Sequence, residues 1–93
     1  MRDKQDSALT RAASLFALPA DAVAGLFHLE LIGTRELYLE NHKGVLEYTP
    51  TAVTLHGGDR AIRITGRELT LSTMTDTELR LTGWLDTISF AAL

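Results

Sequence analysis

Glycine or proline interrupts this chain at nearly equal intervals, and that spacing constrains the fold more than any other feature of the sequence. The breakers Gly33, Pro50, Gly66 and Gly83 are 17, 16 and 17 residues apart, and each follows an alternation of apolar and polar residues. A period of two is typical of β-strands with one buried face. Because glycine and proline end a strand or bend it, each interval holds two short strands or one long bent strand.

The alternation begins at Leu26 and predicts which side chains form the core. Three pairs of apolar positions are separated by polar residues: Leu29 and Leu31, Val53 and Leu55, and Ile62 and Ile64. Turn-forming segments lie between the strands: Asn41-His42-Lys43-Gly44, Gly57-Gly58-Asp59 and Thr75-Asp76-Thr77. Such residues supply the left-handed or side-chain-bonded backbone that reversals need. We therefore predict three chain reversals.

Two arrangements fit the repeating interval, an antiparallel meander and a short β-solenoid. Stacked solenoid rungs would place Glu30 beside Glu47 and Arg63 beside Arg80, and directly opposed like charges are destabilising. A meander avoids both clashes. We therefore predict a mainly β fold with an N-terminal helix: an antiparallel meander of about eight short strands, or four long bent ones, curled into a sandwich or open barrel. The solenoid is the alternative.

A different pattern precedes the strands. Apolar residues recur there at helical spacing: Leu9, Ala12, Ala13 and Phe16. Asp6 or Ser7 can cap this helix, and Gly25 stops the helical region. We therefore predict an N-terminal helical segment over residues 1–25 and an all-β domain over residues 26–93. Leu9 and Phe16 are candidate interaction residues, because an amphipathic stripe packs on its own sheet, on a partner protein or on a membrane.

Composition excludes several functional classes. The 93-residue chain contains no cysteine, which excludes disulfides, thiolate metal sites and thiol nucleophiles. Nine Lys and Arg against twelve Asp and Glu is a poor balance for a protein that neutralises phosphates, so we expect no nucleic-acid partner. No apolar run has the length of a signal peptide or a membrane span. We therefore expect a cytoplasmic protein with at most peripheral membrane contact.

Three segments resemble the YqfC branch of the YabP/YqfC family of sporulation proteins: residues 15–23, 38–46 and 64–69. The most specific of them is a strand that runs into Glu40-Asn41-His42-Lys43-Gly44 and then into another strand. The resemblance implies a role in the mother-cell programme of endospore formation, connected with spore envelope or coat assembly. It implies no catalytic activity. It also implies a membrane-bound sporulation protein as partner and a location in the mother-cell cytoplasm, peripheral to the forespore membrane.

We expect no catalytic site, no cofactor and no metal. His28, His42 and His56 are fourteen residues apart, but a four-strand meander places His42 at the opposite end of the sheet from the other two, so three ligands do not converge. His42 is instead expected to hydrogen-bond within its turn. The serines lack a nucleophile elbow, and the glycines form no phosphate-binding loop. The sequence therefore favours a binding protein over an enzyme.

Two further features are candidate interaction sites. The polar loop of Glu40, Asn41, His42 and Lys43 lies between strands, where binding residues are common, although asparagine and glycine are also what a tight turn requires. Trp84 follows a breaker and either packs at a sheet corner or marks an interface.

The remaining predictions concern partners. Arginines on the strands are explained by cross-strand ion pairs with interspersed acids, and a small-barrel module that binds nucleic acid or a ligand is the alternative function. The strand Thr87-Ile88-Ser89-Phe90 contains neither proline nor lysine. If it is a sheet edge, it can pair with a second copy, and we therefore predict a homo-oligomer.

Overall fold

The computed structural model describes residues 25–93, which form one antiparallel sheet of six strands. The strands are β1 (His28–Ile32), β2 (Glu36–Glu40), β3 (Val45–Tyr48), β4 (Ala52–His56), β5 (Ala61–Met74) and β6 (Glu78–Ala91). The predicted N-terminal helix, with Leu9 and Phe16, lies outside the described residues. Within that part of the chain, no helix has the length and apolar character needed to cross a membrane. The mainly β, antiparallel prediction is confirmed, with four short and two long strands rather than eight short or four long ones.

The strand order is β1-β2-β6-β5-β4-β3, so the sheet is not the simple meander that we predicted. Strand β6 returns to lie between β2 and β5, and three strands therefore separate β2 from β3 in the sheet order. All five neighbouring pairs are antiparallel, which also rules out a solenoid of stacked parallel strands. The sheet is not closed, because β1 and β3 lie at its two ends and do not pair with each other.

The four breakers have two different roles. Gly33 and Pro50 lie in the β1–β2 and β3–β4 turns, where they separate short strands. Gly66 and Gly83 lie inside β5 and β6, where the pairing register shifts next to Gly66. The sequence predicted either two short strands or one long bent strand between breakers, and both occur in this chain. Short strands are found before residue 57, and long bent strands are found after residue 60.

The bend in the long hairpin requires glycine on both strands. A Cβ atom on Gly66 would overlap the carbonyl oxygen of Trp84, and one on Gly83 would lie 2.6 Å from the carbonyl oxygen of Glu68. Gly83 also has a φ of +136°, which side-chain-bearing residues rarely adopt. The two backbones therefore approach each other more closely than any other residue type allows.

The bend divides the sheet into two layers that share one core. The β4 layer contains β3, β4, residues 61–65 of β5 and residues 87–91 of β6. The β2 layer contains β1, β2, residues 78–82 of β6 and residues 70–74 of β5. One buried cluster contains side chains from both layers: Leu37, Leu39, Val53, Leu55, Ile62, Ile64, Leu69, Leu79 and Leu81. Complete burial of each such side chain contributes about 1.5–3 kcal/mol before the entropy cost of folding.

The predicted core faces are confirmed on β4 and β5. Val53, Leu55, Ile62 and Ile64 are fully buried. Leu31 on β1 faces the same side as Leu37, with which it pairs, yet it is 50% exposed. The alternation therefore identifies the inward face of an edge strand, but the extent of burial depends on what lies opposite.

Candidate functional sites

The loop that follows Glu40 carries the chain from the β2 layer to the β4 layer. Asn41 has a φ of 66° and Gly44 a φ of 130°. The Asn41 side-chain amide donates a hydrogen bond to the carbonyl oxygen of Leu26 at 2.9 Å. The turn-forming roles predicted for the asparagine and the glycine are confirmed, but the segment is a crossing between layers and not a hairpin turn. We call residues 40–44 the crossing loop.

His42 fixes the crossing loop to the β5–β6 turn. Its side chain is 4% exposed. Its Nδ1 accepts a hydrogen bond from the Gly44 N–H at 3.0 Å, so the predicted bond within the turn is confirmed. Its Nε2 lies 3.0 Å from the carbonyl oxygen of Thr75, and the neutral imidazole with its hydrogen on Nε2 satisfies both contacts. Thr77 adds a further anchor, because its carbonyl oxygen accepts the N–H of Asn41 at 2.6 Å.

Most side chains of the crossing loop are shielded from solvent. Lys43 is exposed, whereas Glu40 and Asn41 are half-buried. The loop and the β5–β6 turn line an open depression of about 440 Å³. The Tyr38 hydroxyl donates to Glu40 Oε2 at 3.3 Å, and burial, together with the nearby Glu40 and Glu78 carboxylates, raises the pKa of Tyr38 to about 12. Of the four loop residues predicted as an interaction site, Lys43 is the one with an exposed side chain.

The three histidines lie at the same end of the sheet, so the prediction that His42 lies opposite the other two is wrong. His28 pairs with Glu40, the first residue of the crossing loop. The N–H of His56 donates to the carbonyl oxygen of Gly44 at 2.9 Å. The reason is that the chain reverses at Gly33 and again at Pro50, so that the start of β1 and the end of β4 both lie beside the loop that carries His42.

Each histidine ring nevertheless has its own local partner. His28 Nε2 lies 3.8 Å from Glu30 Oε2, and His56 Nδ1 accepts the Gly58 N–H at 3.0 Å. Among residues 25–93, no group of three or more histidine, aspartate or glutamate side chains is arranged to hold a metal ion.

Trp84 lies at the bend of the hairpin between two arginines. Its side chain is 39% exposed. The guanidinium carbon of Arg35 is 3.8 Å from the indole ring centroid, and that of Arg67 is 5.3 Å away. Arg35 is held in place because its Nε donates to the carbonyl oxygen of Gly83 at 2.8 Å. Cation–π attraction therefore fixes an exposed cluster, which we call the Trp84 cluster: Trp84, Arg35 and Arg67.

Sequence reasoning singled out Trp84 but missed both arginines. Arg67 follows Gly66 as Trp84 follows Gly83, and the two residues are opposite each other in the β5–β6 pairing. The shared position after a breaker is the sequence signal for Arg67, whereas a regular register counted outward from the predicted turn at residues 75–77 would have placed Glu68 opposite Trp84. Arg35 gives no such signal, because the β1–β2 turn reaches the bend only through the tertiary fold.

Two other strand arginines form the predicted cross-strand ion pairs. Arg63 Nη1 lies 2.7 Å from Glu47 Oε1, and Arg80 Nη1 lies 3.0 Å from Glu36 Oε1. The hydrogen bond from Arg63, followed by a smaller one from Thr54, lowers the pKa of Glu47 below its ordinary value. These arginines therefore do not add to a continuous positive surface.

Comparison with known proteins identifies the sequence family. The model of the YabP family matches residues 26–92, which includes the crossing loop and the Trp84 cluster. The uncharacterized protein YqfC of Bacillus subtilis (strain 168) is 25% identical over 89 residues, which cover 96% of this chain and 92% of that protein. No solved structure matches this chain.

Proposed function

Because the chain belongs to the YabP family, we propose that it is a sporulation protein that acts by binding other proteins and not by catalysis. More specifically, it serves as an assembly or adaptor factor in spore envelope or coat formation. Its partner is a membrane-bound sporulation protein, and it works in the mother-cell cytoplasm at the periphery of the forespore membrane. The family match supports the sporulation role, and the Trp84 cluster supports the binding role.

The Trp84 cluster has the composition of an interface centre. Tryptophan and arginine are the residue types most enriched where truncation weakens protein complexes strongly. Here they are exposed yet held in place, since Arg35 is bonded to the backbone of Gly83 and stacks on the indole ring. A side chain that is already ordered loses less conformational entropy on binding. Two cations beside one ring favour a partner surface that carries carboxylates.

The engagement of the ionisable side chains supports a non-catalytic role. Arg63 is paired with Glu47, and Arg80 is paired with Glu36. His42 is buried and has a backbone group at each ring nitrogen. Groups engaged in this way stabilise the fold. A general acid or base, by contrast, must be free to reach a proton of the substrate.

The test is a pull-down with the tagged full-length protein from sporulating cells and from vegetative cells. We expect the protein to recover a membrane-bound sporulation protein from sporulating cells, and Trp84→Ala to reduce that recovery at least about tenfold. Leu46→Ala is the matched control, because Leu46 is 55% exposed on β3, away from the bend. Thermal unfolding of both variants checks that they are folded.

The outcomes separate the candidate functions. Recovery of RNA or DNA in place of a protein would favour the small-barrel nucleic-acid module, and the same partners in vegetative cells would contradict the sporulation role. Phe16→Asp tests the predicted N-terminal stripe in the same assay. If Phe16→Asp loses the partner and Trp84→Ala does not, the docking site lies in the N-terminal segment and not at the bend.

A further inference from the structure

The last six residues of β6 form a strand edge without a strand partner in the described part of the chain. On one side, residues 87–91 pair with residues 61–65 of β5. On the other side, β2 pairs only with residues 78–82, and the last contact is a hydrogen bond from the Leu85 N–H to the carbonyl oxygen of Thr34 at 2.8 Å. We call residues 86–91 the β6 edge. Within residues 25–93, no strand forms main-chain hydrogen bonds with this side of the β6 edge.

The other free edges of the sheet each have a feature that discourages pairing with another chain. Strand β1 is short and has Glu30 at its centre. Strand β3 carries Glu47 and an irregular register next to it. The second half of β5 is capped by Tyr48, whose hydroxyl accepts the Leu71 N–H at 3.1 Å. Charged residues, short strands, bulges and covered backbone are the means by which proteins protect sheet edges.

From residue 87 to residue 91 the β6 edge has none of these features. It contains no proline and no lysine, its one charge is Asp86 at the start, and its register with β5 is regular from residue 87 to residue 91. Such an edge is a template for another strand.

Apolar side chains flank the β6 edge on its core side. Ile88 and Phe90 are opposite Ile64 and Ile62, so they point towards the shared core, yet Phe90 is 52% exposed. Ile88 also lines a groove of about 170 Å³ whose apolar walls include Leu31. Within residues 25–93, apolar side chains therefore remain exposed where the β6 edge has no strand partner.

We infer that the β6 edge pairs with the β6 edge of a second copy of this chain, which gives a two-fold dimer with one continuous sheet. Antiparallel strands are related by a two-fold axis, so an edge can pair with its own copy. A register centred on Ser89 places Ile88 opposite Phe90 of the second copy on the core face. The same register leaves Asp86 outside the paired residues. The second copy thus covers apolar side chains and main-chain groups that residues 25–93 of one chain leave exposed.

Ser89 provides the test, because the axis passes through it and like charges there would face each other directly. We expect the wild-type chain to sediment as a dimer over a concentration series. Ser89→Lys and Ser89→Glu should each weaken the dimer roughly five- to tenfold. An equimolar mixture of the two variants should restore it, because opposite charges then meet. Thr73→Lys is the matched control, since Thr73 is an exposed residue on the second half of β5.

A cysteine variant tests the register independently. The chain contains no cysteine, so Ser89→Cys introduces a single thiol. Directly opposed strand residues have Cβ atoms about 4.5–5.5 Å apart, close to the separation that a disulfide bridges. Mild oxidation should convert Ser89→Cys to a covalent dimer and leave Thr73→Cys without a covalent cross-link on a non-reducing denaturing gel.

Three results would overturn the dimer. They are a monomeric wild-type chain at every concentration, a dimer that neither charged Ser89 variant weakens, and equal cross-linking of the two cysteine variants. None of these results bears on the sporulation role, because the pull-down partner is recovered through the Trp84 cluster at the bend.

Discussion

The strands before residue 57 and the strands after residue 60 use the same sequence period but build different structures. The N-terminal part, β1 to β4, consists of strands of four or five residues, and the chain turns back near Gly33 and near Pro50. The C-terminal hairpin, β5 and β6, consists of two 14-residue strands that continue through Gly66 and Gly83. The spacing of breakers therefore gives the position of an interruption, and the tertiary neighbours determine whether the chain turns or bends there.

The largest effect is expected from Gly66→Ala, which attacks the bend. The new methyl group would overlap the carbonyl oxygen of Trp84, a backbone atom that moves only if β6 moves. We expect a loss of at least about 3 kcal/mol in the free energy of unfolding, measured by urea denaturation. The Trp84 cluster lies on the same bend, so the indole fluorescence should change as well.

Gly33→Ala is the matched control in the N-terminal part. Gly33 has a φ of +57°, but no atom lies within 4 Å of the added methyl group. The cost is then the backbone preference alone, about 1 kcal/mol. Equal losses for the two variants would mean that the two glycines have the same role and would remove the distinction between turn and bend.

The next largest effect is expected at the joint between the two parts, where His42 contacts the β5–β6 turn. His42→Ala leaves the Gly44 N–H and the Thr75 carbonyl oxygen without their side-chain partner. The two hydrogen bonds are partly buried, and a net contribution of about 0.5–1.5 kcal/mol from each gives an expected loss of roughly 1–3 kcal/mol in urea denaturation. A loss below about 0.5 kcal/mol would show that the crossing loop does not depend on the ring.

Two conservative variants separate the contributions of the two His42 hydrogen bonds to stability. His42→Asn keeps an acceptor close to the position of Nδ1, and His42→Gln keeps a donor close to the position of Nε2. We expect each variant to recover part of the lost stability. The larger recovery will show whether the bond within the crossing loop or the bond to the hairpin contributes more.

Local patterns predicted the strands of this chain well, because alternation and turn chemistry are local. Val53, Leu55, Ile62 and Ile64 are buried as their spacing indicated. Local patterns did not predict the strand order. The residue types of the crossing loop fit a hairpin turn, and its direction depends on a contact between His42 and Thr75, 33 residues away.

The same limit applies to the candidate sites. Trp84 stood out because it is the one tryptophan and follows a breaker. Arg35 contacts the indole ring through the tertiary fold, and no local pattern links residues so far apart in sequence. For a similar reason, the sequence alone did not show that the end of β6 is a sheet edge. A strand becomes an edge only when the neighbouring strand ends early, as β2 does.

A smaller effect is expected from Tyr48→Phe, which removes the hydroxyl that β3 contributes to the hairpin. That hydroxyl accepts the Leu71 N–H at 3.1 Å. We expect a loss of about 1 kcal/mol and faster hydrogen exchange at the Leu71 amide. Leu46→Ala on the same strand should leave that amide unchanged. Unaltered exchange in Tyr48→Phe would show that the edge of β5 does not need its cap.

The smallest effect is a pH dependence at the ion pair that links β3 to β5. Arg63 holds the pKa of Glu47 below its ordinary value of 4.5 in the folded protein. The folded state therefore binds this proton more weakly than the unfolded state does, so the stabilisation is present above about pH 4.5 and is lost as the pH falls through the folded pKa. Glu47→Gln should flatten that part of the profile of unfolding free energy against pH. An unchanged slope would mean that the ion pair of Arg63 and Glu47 adds no stability. The hydrogen bonds of His42 and the shared core would then be what holds the N-terminal strands to the hairpin.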